Sequence, residues 1–226
     1  MTSIIVVTIA AAAVTQNSSA SVSTSESVRQ NDYQVKVHLN CTADVPATLL
    51  WPSQEVARDL FARIGVRLVW GPGHWHPSQS TGVAGTGEPI QREFAIEISP
   101  RVPKAFDQDA LAFAMPYGDT SVGVVIFYNR VKFLLREHRT TPEAVIFGHI
   151  LAHEIGHVLE RINRHSETGV MRAHWTEDDF TQMAAGRLGF TAEDATFIRN
   201  SLTIRNMSPA SNRKGRGSEI EPSTQK

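Results

Sequence analysis

Cysteine is almost absent: Cys41 is the only one in 226 residues. The chain can therefore close no disulfide on itself and can build no thiolate metal cluster, so any metal must be held by His, Asp or Glu. A surplus of either charge is missing too. Lys and Arg number 22 against 23 Asp and Glu, and no long stretch is dominated by basic residues. That removes the electrostatic footprint expected of a nucleic-acid partner or an anionic membrane partner. Internal repeats are absent, and so is any apolar run of the roughly 20 residues needed to cross a bilayer as a helix. The run from Ile4 to Val14 is about a dozen residues long, the length of the apolar region of a secretory signal, although no Lys or Arg precedes it.

Residues 1–20 accordingly read as a signal peptide with cleavage near Ala13 or Ala20, and the mature chain is expected to be secreted, periplasmic or extracellular, with no stable membrane insertion. Residues 21–32 continue a Ser-rich flexible lead-in, and residues 208–226 form a tail of the same polar character. Between them, residues 33–207 have the texture of one globular domain, expected to be a monomer. Asn17, Asn40 and Asn206 match the glycosylation pattern, which carries no weight without knowledge of the source.

Within the domain, YQVKVHL at 33–39 alternates apolar and polar residues as a half-buried strand does. PSQEVARDLFARIG at 52–65 spaces Val56, Leu60, Phe61 and Ile64 along one helical face and stops at Gly65, and VRLVW at 66–70 returns to strand character. A strand, helix, strand unit of this kind predicts a parallel pair joined by a right-handed crossover. The Gly- and Pro-punctuated stretch 71–89 reads as a loop. Its His74 and His76 resemble a metal-binding pair but are better read as solvated. EFAIEIS at 93–99, ALAFAMPY at 110–117 and GVVIFYN at 123–129 predict three more strands.

The chemistry concentrates after residue 141. Thr141 is a candidate N-cap, Pro142 suits the first helical position, and Glu143 sits where the helix dipole favours an acid. PEAVIFGHILAHEIGHVLERI then runs apolar nearly all round, the mark of a helix packed in the middle of a domain. Such a helix does not carry His and Glu freely, because an unpaired buried polar group costs on the order of several kcal/mol. His153 and His157, four apart, place their rings on one face and can take two vertices of a zinc tetrahedron. Glu154 is turned about 100° away, within reach of a metal-bound water and not of the metal. A third ligand must come from beyond the helix. His165 follows Asn163, a residue able to adopt the left-handed conformation that ends a helix and reverses the chain. A later helix is opened by Thr176 and ended by Gly189, and Thr191 opens a last helix.

With these residues in place the chain resembles the zincin metallopeptidases and, among them, the metzincins, whose pattern is His-Glu-x-x-His-x-x-Gly-x-x-His followed by a methionine turn. His153, Glu154 and His157 match the first part, His165 the third histidine, and Met171 in SETGVM the methionine. The chain departs from the pattern at Glu160, where the glycine should stand, and at Asn163, which occupies the histidine position and puts His165 two residues late. The other solution found among zincins is an acid on a later helix, for which Glu177 or Asp178 would serve; the match to Met171 favours His165 over them.

The resemblance implies an α/β (α+β) single domain: a twisted mixed sheet with a backing helix, an active-site helix and C-terminal helices. It implies one Zn2+ per chain held by His153, His157 and His165, Glu154 as general base, Met171 as support, and a peptide or protein substrate laid along the edge of ALAFAMPY or GVVIFYN. His149, one turn before His153, is expected to be a hydrogen-bonded structural residue, since a catalytic zinc keeps one position open. Tyr117, Tyr128 and His174 are candidates for steadying an oxyanion, and Cys41 offers no recognisable propeptide switch. Two rivals stand beside this reading: a secreted binding module with a structural zinc, and a zinc hydrolase acting on a non-peptide amide.

Overall fold

In the computed structural model, residues 33–71, 73, 90–102, 110–114, 122–162 and 164–206 are described, and they hold five strands and five helices. The first strand, β1 (Tyr33–Cys41), buries Val35, Val37 and Leu39 in the core and turns Lys36 and His38 to the other face, where both meet Glu93. Helix α1 (Ala47–Ala62) returns the chain to β2 (Val66–Gly71), which pairs parallel with β1, as the strand, helix, strand pattern predicted. β3 (Arg92–Ser99) lies parallel on the other side of β1, β5 (Val122–Phe127) parallel to β3, and β4 (Ala112–Ala114) antiparallel at the edge, giving the order β2-β1-β3-β5-β4.

Several element boundaries differ from the expectation. α1 begins at Ala47, five residues early, so Pro52 lies inside it; Pro46 stands at the N-cap, and the missing Pro52 amide leaves the carbonyl of Thr48 without its helical donor. Of ALAFAMPY only Ala112–Ala114 is strand, and residues 115–120 lie outside the described residues. GVVIFYN is strand only as far as Phe127: Tyr128 opens helix α2 (Tyr128–Glu137), which buries Tyr128, Val131, Leu134 and Leu135 at helical spacing. Because β5 is flanked by β3 and β4, it has no free edge, and only β4 of the two expected strands could lie along a peptide.

The central helix α3 (Glu143–Glu160) is buried from Ile146 to Glu160, as its all-round apolar character required. Thr141 does not cap it. Its hydroxyl donates to the Phe180 carbonyl at 3.0 Å, and Pro142 occupies the N-cap in an extended conformation. α3 packs closely along α1 at Gly148, where a Cβ would come 2.5 Å from Val56 Cβ and 2.8 Å from the Ser53 carbonyl oxygen. A side chain at this position would push the two helices apart.

Two C-terminal helices complete the domain. α4 (Glu177–Ala184) is opened by a capping box between Thr176 and Asp179 and stops before Gly186 (φ 65°), three residues ahead of the predicted Gly189. α5 (Ala192–Asn206) is opened by Thr191, whose hydroxyl accepts from the Asp194 amide at 3.1 Å while Asp194 accepts from the Thr191 amide at 3.0 Å.

Candidate metal centre

α3 ends at Arg161, which adopts the left-handed conformation (φ 57°) and donates its amide to the His157 carbonyl at 3.2 Å. The expected residue for this role was Asn163, which lies outside the described residues. A left-handed non-glycine residue costs about 1–2 kcal/mol, and here it reverses the chain one residue after the helix. The reversal carries His165 back against the face that holds His153 and His157.

The three histidines then converge: their ligating nitrogens all lie within 4.8 Å of one another, and no other such group of His, Cys, Asp and Glu occurs among the described residues. His153 and His157 face each other through their Nε2 atoms at 3.0 Å. The ring centroids of His165 lie 5.4 Å from those of His153 and 4.9 Å from those of His157. Nitrogens bound to one tetrahedral zinc at about 2.0–2.1 Å stand roughly 3.3 Å apart, a separation the triad can reach by small side-chain rotations.

The orientation of His153 comes from outside the helix. Its Nδ1 donates to the Val170 carbonyl at 2.8 Å, which leaves the lone pair on Nε2 and aims it into the cluster. Val170 is in turn held by its own amide, bonded to the Gly189 carbonyl at 3.0 Å. The loop that presents Val170 is closed by the Ser166 amide on the Met171 carbonyl at 2.9 Å and turns at Gly169 (φ 81°), where a Cβ would meet the Gly189 oxygen at 2.6 Å. Trp175 packs edge-on to the His153 ring at 5.7 Å and closes that side with apolar surface.

Burial sets the protonation of the triad. Desolvation lowers His153 to about 4, with the Val170 bond opposing and the neighbouring His165 adding to the effect. Burial and the two neighbouring imidazoles hold His157 well below its ordinary value, and burial followed by His174 lowers His165. All three rings are therefore neutral at pH 7, with lone pairs available to a cation. The buried Nε2 of His165 has no hydrogen-bond partner. A set of three neutral imidazoles with an unsatisfied nitrogen fits a borderline metal such as zinc.

Glu154 is 1% exposed, and neither of its carboxylate oxygens has a hydrogen-bond partner. Burial pushes its carboxyl up to about 8. A buried carboxyl without a partner, next to a cluster of metal-ligating side chains, is a destabilising feature of the kind kept at functional sites.

No protein-family model matches the chain, and no curated protein matches it in sequence. Among solved structures it is similar to a zinc-dependent peptidase from Methanocorpusculum labreanum, with 12% identity, 72% of this chain and 99% of that chain covered, and a TM-score of 0.45. It is also similar to archaemetzincin from Methanopyrus kandleri, with 13% identity, 75% and 96% coverage, and a TM-score of 0.44. What the cluster can do is decided by its own side chains.

The remaining candidates fall into place around the triad or away from it. Met171 is fully buried with its sulfur against α3 at Gly156, 2.5 Å from where a Cβ would stand. Gly156 lies between the two helical histidines and was overlooked in the sequence; a glycine inside an otherwise apolar helix was the signal that something approaches closely there. His149 bonds to the Val145 carbonyl at 2.8 Å and to the Leu188 carbonyl at 3.4 Å, outside the triad, as expected for a structural residue. Glu177 is exposed and 3.4 Å from His138, and Asp178 accepts from Gln182, so neither alternative acid joins the three histidines. His174 is exposed near His165, and Tyr128 is buried against Phe147 with ring centroids 6.2 Å apart. His74, His76 and Tyr117 lie outside the described residues.

Proposed function

We propose that this chain is a zinc-dependent peptidase in which His153, His157 and His165 hold one zinc ion and Glu154 moves the proton. The observation that carries the reading is the convergence of three neutral imidazoles beside a buried, unpartnered carboxyl. Zinc held there would supply Lewis acidity, polarising a carbonyl and making water nucleophilic near neutral pH.

The chain's own residues perform the rest. The Val170 carbonyl fixes the His153 tautomer, so that Nε2 and not Nδ1 faces the ion. A carboxylate oxygen of Glu154 accepts the proton of the attacking water and returns it to the nitrogen of the leaving amine as the peptide bond breaks. β4, the edge strand among the described residues, is antiparallel to β5 and packs against α3, and in this reading an extended peptide lies along it. With the apolar run at Ile4 to Val14, the reading extends to a monomeric enzyme exported after removal of residues 1–20.

Metal analysis of dialysed protein and a peptide-library assay test this together. Wild type should hold zinc and cleave in a chelator-sensitive way, and His165→Ala should lose zinc while Glu177→Ala keeps it. Glu154→Gln should keep zinc and lose about 10²- to 10⁴-fold in turnover. Full zinc occupancy in His165→Ala, or unchanged turnover in Glu154→Gln, would refute the assignment.

A further inference from the structure

Of the three histidines, His165 has the least to hold it. His153 and His157 are locked by helix α3, and His153 is also bonded to Val170. His165 lies on the loop after the helix, and its buried Nε2 has no hydrogen-bond partner. Fixing the backbone of one loop residue costs about 1–2 kcal/mol, so a loop ligand is ordered either by the metal or by its neighbours in the chain.

Both chain neighbours of His165 are tied down at one carboxylate. Arg164 donates through Nη2 to Asp194 Oδ1 at 2.7 Å, and the Ser166 hydroxyl donates to the same oxygen at 2.5 Å. Arg164 also reaches Ser166 through Nη1 at 3.3 Å, so the two flanks of His165 are bonded to each other as well. Asp194 is fully buried, and its second oxygen accepts the Thr191 amide at the start of α5. The clamp is thus anchored to the first turn of a packed helix.

The guanidinium also stands 3.4 Å from Glu160 Oε2 in the last turn of α3, and it lies over the Phe197 ring of α5 at 4.4 Å. Glu160, the residue that replaces the glycine of the resembled motif, accepts no hydrogen bond from the guanidinium, so the grip on Arg164 comes from Asp194. A planar fork can donate to Asp194 and Ser166 at once through its two terminal nitrogens held at a fixed angle, which an ammonium cannot reproduce.

We propose that Arg164, gripped by Asp194 and bonded to Ser166, is the positioning residue of the third metal ligand: it presets the ligand loop so that His165 is in place before the metal arrives. The inference rests on the metal-site reading above. Its consequence is that removing the clamp weakens metal binding through His165 and through no other ligand.

The test is zinc affinity of the full chain, measured by competition with a chromophoric chelator, for wild type, Arg164→Ala, Arg164→Lys, Asp194→Asn, His165→Ala and the His165→Ala/Arg164→Ala double variant. Arg164→Ala should bind zinc about 10- to 100-fold more weakly, the usual effect of removing an outer partner of a ligand. Arg164→Lys should recover only part of that loss. Asp194→Asn, which retains the capping function of α5, should weaken zinc in the same direction.

In the His165→Ala background, Arg164→Ala should have no further effect, because the residue it positions is gone; a merely structural role would lower affinity equally in both backgrounds. Cobalt-substituted Arg164→Ala should also show a weaker visible absorption than cobalt-substituted wild type, as a ligand is loosened. Wild-type affinity in Arg164→Ala and Asp194→Asn, or an equal loss with and without His165, overturns the inference while leaving the metal site intact. A wild type that binds no zinc overturns the metal-site reading itself.

Discussion

Replacing Glu154 with Gln should make the metal-free protein more stable at alkaline pH, even though the residue is proposed to be essential for turnover. The carboxyl is buried at 1% exposure without a hydrogen-bond partner, and desolvation raises it from 4.5 to about 8. A folded-state value above the unfolded one means that its contribution is fully present below pH 4.5 and is lost as pH rises toward 8. Each pKa unit is worth about 1.4 kcal/mol, so the cost of keeping this group folded grows to an upper bound on the order of 5 kcal/mol at pH 8.

Glutamine has nearly the same shape and does not titrate, so the stability difference between the two proteins isolates this group. Any cost of burying the amide is the same at every pH and drops out of the slope. The titrations of His153, His157 and Glu160 occur in both proteins and largely cancel. Urea unfolding of the chelator-treated proteins from pH 4 to pH 8 reads the effect directly. With a slope of about 2 kcal/mol per molar urea for a domain of this size, the variant's midpoint should move above that of wild type by up to about 2 M across that range. A difference that stays constant with pH would show that Glu154 is solvated or paired in solution, and the reasoning from its burial would fail.

Gly156→Ala should destabilise the protein by about 1 kcal/mol net, because overpacking of about 1–3 kcal/mol outweighs the roughly 1 kcal/mol that alanine gains over glycine in a helix. The added methyl would stand 2.5 Å from the sulfur of Met171, which is fully buried. Thermal unfolding measures it, and a higher melting temperature for the variant would show that Met171 does not press on the helix. His149→Gln should flatten the acid side of the stability profile: burial lowers His149 below 6.5, so its contribution is present above that pH and is lost as pH falls. Urea unfolding of the two proteins between pH 7 and pH 5 checks this, and parallel profiles would rule out His149 as a titrating group in that range.

What could be read from the residues alone is what depends on local spacing. His153 and His157 share a face because they are four apart on a helix, and that helix announces itself through an apolar surface on every side. Period-two alternation in YQVKVHL and helical spacing in the segment after it likewise sufficed for β1, α1 and β2. The same kind of signal was present for α2, whose buried residues repeat every three to four positions, and was masked by the strand character of the VVIF that runs straight into it.

Tertiary structure alone decided the order of the strands, and with it that β5 is interior and β4 is the edge, because hydrogen bonding between strands joins residues that no sequence period relates. It decided that Arg161 makes the left-handed turn, since a single backbone inversion of about 1–2 kcal/mol is easily outweighed by the packing it permits. And it decided the surroundings of the third histidine: Val170 behind His153, Met171 under Gly156, and Asp194, 28 residues beyond Ser166 in the chain, holding both sides of His165. Ligand type and helical spacing are properties of a few neighbouring residues, whereas the fixed position of a loop ligand is produced by contacts that exist only once the last helix has packed.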